Sequence, residues 1–159
     1  MKIEKGGDHM RQFYGMSQRG DLAEAVKGLE RPQFLMLLSN GSQFEAHVKE
    51  LEKRYPGVPS IGCIGMSYDT GVVENGVGVV AFLDGVSAVA NVLEQVSVMP
   101  VKYVHRLEQD VRNLGGSQRD TVCIDFCSGN DACVLTTIHT VLKRNGISLV
   151  RGTVDAGKV

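Results

Sequence analysis

Cys123, Asp125 and Cys127 alternate with the apolar residues Ile124 and Phe126, and side chains on a β-strand alternate between its two faces. All three polar or nucleophilic groups are therefore expected on one face of one strand. Asp125 could receive an amine there, and Cys127, at the strand's end, is better placed than Cys63 to act as a nucleophile, a role that requires a depressed pKa and an adjacent base. The following residues, Cys127-Ser128-Gly129-Asn130-Asp131, connect that strand to a helix. Free amides at a helix start attract carboxylates or phosphates, while Ser128 or Asn130 could equally serve as an ordinary N-cap; both readings stay open.

A second group lies at Gly62, Cys63, Gly65 and Ser67, where an apolar run passes into a segment of small residues. Glycine beyond a strand end permits positive φ and close backbone approach, so that amides can face a ligand. Gly152 and Thr153 occupy an equivalent place near the last strand. Valine at Gly62 or Gly129 is then expected to abolish ligand binding while leaving most stability intact.

Other chemistries find less support. No G-x-x-x-x-G-K-[ST] occurs, Gly62-Cys63-Ile64-Gly65 lacks the third glycine of G-x-G-x-x-G, and G-x-S-x-G is absent. Cys63, Cys123, Cys127 and Cys133 form no C-x-x-C pair and have no histidine at zinc-finger spacing, so they read as reduced apolar residues, with no metal site. Without C-x-x-C-H, any haem would be non-covalent, with His139 or His47 as its ligand. Both flank apolar helix faces, where a half-buried structural histidine is the default, whereas His9 and His105 read as solvated.

The elements that must position these groups follow from periodicity. Leu22, Ala25, Val26 and Leu29 make a helical stripe behind Asp21, a candidate N-cap, and residues 1–14 ahead of it read as a leader. Phe34-Leu35-Met36-Leu37-Leu38 suits a central strand, and Phe44, Val48, Leu51 and Tyr55 mark a helix ended by Pro56-Gly57. A strand covers residues 59–65. Residues 77–83 and 86–93 flank Asp84-Gly85 as an expected antiparallel hairpin. Val101, Val104, Leu107, Val111 and Leu114 share a helix face closed by Gly115-Gly116. A strand over 121–126, a helix with Val134, Leu135, Ile138 and Leu142, and a strand over 148–150 complete the order. This is an α+β, or mixed α/β, fold: a mixed sheet containing an antiparallel hairpin, with helices packed on it.

Composition agrees with a single domain over residues 15–159. The chain has 159 residues, 43% apolar and 22% charged, and its 17 Lys+Arg against 18 Asp+Glu leave a net charge of -1. No basic, aromatic surface for nucleic acid emerges. The apolar runs fall well short of the roughly 20 residues that span a bilayer, and the N-terminus lacks a signal-peptide core, so the chain reads as cytoplasmic without membrane insertion. Its compositional departure is 19 glycines against 4 prolines.

Several segments together resemble the N-terminal domain of the FIST (F-box and intracellular signal transduction) family. They are Gly15-Met16-Ser17 with residues 21–26, Arg31-Pro32-Gln33-Phe34-Leu35-Met36-Leu37-Leu38, Tyr55-Pro56-Gly57-Val58-Pro59-Ser60-Ile61-Gly62-Cys63, residues 71–77, and Leu149-Val150-Arg151-Gly152-Thr153-Val154-Asp155. The Tyr55 to Cys63 segment is the most specific. The resemblance implies an intracellular sensory domain, bacterial sensors among its members, that binds a small ligand such as an amino acid. It implies coupling to a histidine kinase, a chemotaxis transducer or a cyclic-dinucleotide enzyme, and a C-terminal partner domain before which this chain is truncated. Some relatives are haem-binding nitric-oxide sensors, which makes haem an alternative; a cysteine-nucleophile enzyme is another. On this reading the ligand site comprises Gly62, Cys63, Gly65, Ser67, Asp125, Cys127, Ser128, Gly129, Asn130, Gly152 and Thr153, and no residue is catalytic.

Overall fold

The computed structural model describes residues 10–65, 67–68, 71–72, 75–94, 96, 98–116, 119–128 and 132–154, and the chain divides into two compact units, Met1–Ala88 and Val89–Val159. In the first, β1 (Gln12–Ser17), β2 (Phe34–Ser39), β3 (Ser60–Ile64) and β6 (Val77–Phe82) form a mixed sheet in the order β1-β6-β2-β3. The apolar run of β2 makes it an inner strand, parallel to β3, with Leu38 opposite Cys63, and antiparallel to β6, with Leu37 opposite Val79. Burial nonetheless alternates along it, with Leu35, Leu37 and Ser39 buried and Met36 and Leu38 only half-buried, so the strand is apolar on both faces but packs into the core chiefly through one.

Two helices cover this sheet. Asp21 caps α1 (Leu22–Ala25): its Oδ1 accepts from the Ala23 and Glu24 amides at 2.9 and 3.2 Å. Leu22 and Ala25 enter the core, and so do Val26 and Leu29 just beyond the helix end. From α2 (Phe44–Arg54), Phe44 and Leu51 reach the same cluster, which also holds Leu35, Leu37, Val77, Val79 and Ala81.

The hairpin expected over residues 77–93 does not form. Asp84-Gly85 does turn, with Gly85 at φ 68, but residues 86–94 make no strand. The reason is competition for edges: β1 pairs with one side of β6 and β2 with the other, both antiparallel, so β6 has no edge left for the segment that follows it. Part of that segment instead lies along α3 (Pro100–Leu114), where Tyr103 OH donates to the Glu94 carbonyl at 2.6 Å and accepts from the Glu94 amide at 3.1 Å. Antiparallel pairing also occurs between the short β4 (Ser67–Tyr68) and β5 (Gly71–Val72). The mixed-sheet α+β class therefore stands, with its antiparallel pairing placed elsewhere. β1 begins at Gln12, within residues that periodicity alone reads as leader.

The second unit holds α3 and a β-α-β run of β7 (Val122–Ser128), α4 (Ala132–Arg144) and β8 (Ser148–Val154). Both helices end where glycine takes a left-handed conformation, Gly115 at φ 63 and Gly146 at φ 68. Ile138, Leu142 and Ile147 form a small core against Leu93, Leu107, Val111, Cys123 and Leu149. The stripe read on α3 is only partly inward: Tyr103, anchored through its hydroxyl, is the buried residue, and Val101 in the first turn is exposed. Among the described residues, no helix is long and apolar enough to cross a membrane.

Candidate functional site

The β7–β8 pair builds the most chemically loaded group. Its strands run parallel with Cys123 opposite Leu149, Asp125 opposite Arg151 and Cys127 opposite Thr153, and facing residues of adjacent strands share a side of the sheet. Cys123 and Leu149 pack against the α4 core, so this is the helix-covered face. Burial, reinforced by the negative charge of Asp125, pushes the Cys123 thiol up to about 11. It is protonated at neutral pH.

Arg151 joins Asp125 and Cys127. Its Nε lies 3.3 Å from Asp125 Oδ2, and its Nη2 donates to Cys127 Sγ at 2.7 Å. The two charged side chains are largely buried, Arg151 at 22% exposure and Asp125 at 16%. Among the described residues, Asp125 Oδ2 is buried without a hydrogen-bond partner, because the Arg151 Nε contact lacks bonding geometry. Burial raises the Asp125 pKa above the ordinary carboxylate value, and the Arg151 charge offsets this only in part. A carboxylate oxygen kept from water and left without a donor is costly, and the cost is relieved by a cationic donor that reaches it.

Arg151 is not among the ligand-site residues read from the sequence. The available signal was a lone cation in an apolar strand, as Asp125 is a lone anion in another. Ser128 closes β7, Thr153 faces Cys127 in the backbone register, and Gly152 faces Phe126. Gly129 and Asn130 lie outside the described residues.

Gly62, Cys63, Gly65 and Ser67 belong to the first unit, and there the glycine expectation needs correction. A Cβ on Gly62 would stand 3.0 Å from the carbonyl oxygen and 3.1 Å from the Cβ of Leu37, its partner on β2, with the Phe44 ring at an ordinary 3.5 Å, so glycine here eases the close approach of β2 and β3. Gly62→Val is therefore expected to destabilise the first unit by about 1–3 kcal/mol, read as an earlier denaturation midpoint. A parent-like midpoint would show that β2 and β3 yield without cost. The Gly65 amide donates to the Ser39 carbonyl at 2.9 Å and extends the β2–β3 ladder rather than facing a ligand. Cys63 is buried, which pushes its thiol pKa up. Glycines with positive φ fall at Gly20, Gly28, Gly57, Gly85, Gly115 and Gly146, in turns and helix ends, and not at Gly62, Gly65 or Gly152.

His47 is buried, and both its ring nitrogens are engaged. Nε2 donates to the Gly20 carbonyl at 2.9 Å, so Nδ1 is the acceptor for the Ser39 hydroxyl at 2.6 Å. Iron could reach His47 only by displacing one of these bonds. His139 is exposed on α4. Among the described residues, no group of three or more His, Cys, Asp or Glu is placed to hold a metal ion.

These features define an α+β domain built on a mixed sheet. Residues 33–157 match the FIST N domain, and the chain belongs to that family, which is associated with signal transduction. The matched span begins just ahead of β2, so β1 and α1 precede it. No curated protein and no solved structure matches the chain.

Proposed function

We propose that this chain is a small-ligand-binding sensory domain of an intracellular, cytoplasmic signalling pathway and not an enzyme, with an amino acid or similar small amine as its ligand. The observation that carries this reading is the buried Asp125 oxygen without a hydrogen bond. Asp125 receives the amine at the middle of β7, on the face that carries Cys123 and Cys127 and that pairs with Arg151 of β8. Ser128, Gly129, Asn130, Gly152 and Thr153 are the further residues assigned to the ligand on the sequence reading. The output is relayed to a histidine kinase, a chemotaxis transducer or a cyclic-dinucleotide enzyme. Cys63 and Cys123, held protonated by burial, make poor nucleophiles.

Titration calorimetry against the standard amino acids tests the reading, with Asp125→Asn as the diagnostic variant. Its affinity is expected to fall about tenfold or more, since the charge partner is lost. Stability should move the other way. The folded pKa of Asp125 lies above the unfolded value, so its stabilising contribution is complete below the unfolded value and disappears as pH rises through the folded one. Asp125→Asn is thus expected to melt at or above the parent at neutral pH, with the difference closing below about pH 4. Undiminished ligand affinity in this variant would sink the reading.

A further inference from the structure

Resting on that reading, we infer that Arg151 is the specificity-determining residue of the site: it selects ligands that carry an oxyanion beside their amine. Three observations point this way. First, the guanidinium is poorly satisfied where it stands. Its Nη2 is committed to a sulfur, a weak acceptor, and its Nε lies 3.3 Å from a carboxylate oxygen that it does not hydrogen-bond. Arginine's planar fork matches a carboxylate with two parallel N–H bonds, and neither Cys127 nor Asp125 exploits that geometry.

Second, Asp125 and Arg151 together are neutral and largely buried. A simple amine drawn to Asp125 would set a second cation beside Arg151, and a simple acid drawn to Arg151 would set a second anion beside Asp125. Each leaves an uncompensated charge in a site with little water to screen it. A ligand carrying both groups supplies the missing partner to each protein charge at once, so the pair rejects singly charged analogues as well as accepting the dipolar one.

Third, the register fixes the spacing. Asp125 and Arg151 face each other across one parallel ladder, and their charged atoms lie 3.3 Å apart. That suits an ammonium and a carboxylate borne on one carbon, and it disfavours chains that hold the two groups several carbons apart.

The test uses the full chain and calorimetry. Each standard amino acid is titrated first. The tightest binder is then compared with its decarboxylated amine and its deaminated acid in the parent, in Arg151→Gln and in Arg151→Lys. The parent is expected to prefer the amino acid over the amine by tenfold or more, Arg151→Gln to lose that preference while binding the amine no more weakly, and Arg151→Lys to keep only part of it. A merely structural arginine would weaken both ligands together. An unchanged preference in Arg151→Gln, or a parent that binds amine and amino acid alike, overturns the inference and leaves the role of Asp125 standing. A parent that binds no amino acid overturns both. Should Arg151→Gln fail to fold by circular dichroism, Arg151→Lys decides, since it keeps the charge and removes the fork: an undiminished preference there overturns the inference.

Discussion

Gly15→Ala is expected to destabilise the first unit by about 3 kcal/mol or more, at or beyond the upper end of ordinary overpacking costs. Gly15 sits in β1 directly beneath α1, and a methyl group there would coincide with the Ala25 carbonyl oxygen and come within 2.9 Å of the Phe13 ring. The obstacle is backbone, not the movable end of a side chain. Relief would require α1 to lift, which would expose Leu22 and Ala25, both fully buried. Gly65→Ala is the matched control, because its added Cβ would meet only Leu38 at 3.9 Å, an ordinary contact. Denaturant melts followed by circular dichroism should separate the two variants clearly. Equal midpoints would mean that α1 does not rest on β1 as described.

His47→Leu should cost about 2–4 kcal/mol, although leucine fills similar space and favours the helix. The substitution removes two hydrogen bonds, takes the donor from the Gly20 carbonyl and leaves the Ser39 hydroxyl only its longer bond to the Asn40 carbonyl at 3.3 Å. Ser39 has 0% exposure and His47 5%, so the penalty is felt almost in full. Through these bonds His47 ties the turn ahead of α1 to β2, two segments distant in the chain. Ser39→Ala alone should cost less, about 1 kcal/mol, as one bond is lost and the Gly20 contact survives. A double-mutant cycle measures the coupling. Strict additivity of His47→Leu and Ser39→Ala would refute the shared bond.

The packing role of Gly15 and the two partners of His47 were not legible in the sequence pattern, and the reason is the same for both. Gly15 is a glycine in a short segment, Gln12 to Ser17, whose alternation is too weak to announce a strand. Its meaning comes from a helix that lands on it. His47 reads as a residue on the flank of an apolar stripe, as it is, but nothing local reveals that Ser39 and Gly20 approach it from opposite sides. By contrast, Asp21 as a cap, β2 as an inner strand and Gly115 as a helix end were all legible, because each depends on interactions within a few residues.

The candidate site divides along the same line. That Cys123, Asp125 and Cys127 share a face follows from the period of a strand, whereas β7 continues to Ser128 and so places Asp125 at its middle and only Cys127 near its carboxyl end. In the glycine-rich second group, Gly62 stands close against Leu37 and the Gly65 amide extends the β2–β3 ladder, packing roles that only the paired strands reveal.

What the sequence by itself determined is the inner strand β2, the α2, α3 and α4 helices and the shared face of Cys123, Asp125 and Cys127, since periodicity and capping are local physics. Which edges pair, and in what register, only the tertiary structure decided. β6 lies between β1 and β2 instead of pairing with residues 86–93, and Arg151 comes to Asp125 through a parallel register across α4. Those outcomes depend on competition among strand edges far apart in the chain, where the pairing that buries the most apolar surface with its hydrogen bonds satisfied prevails over the nearest turn.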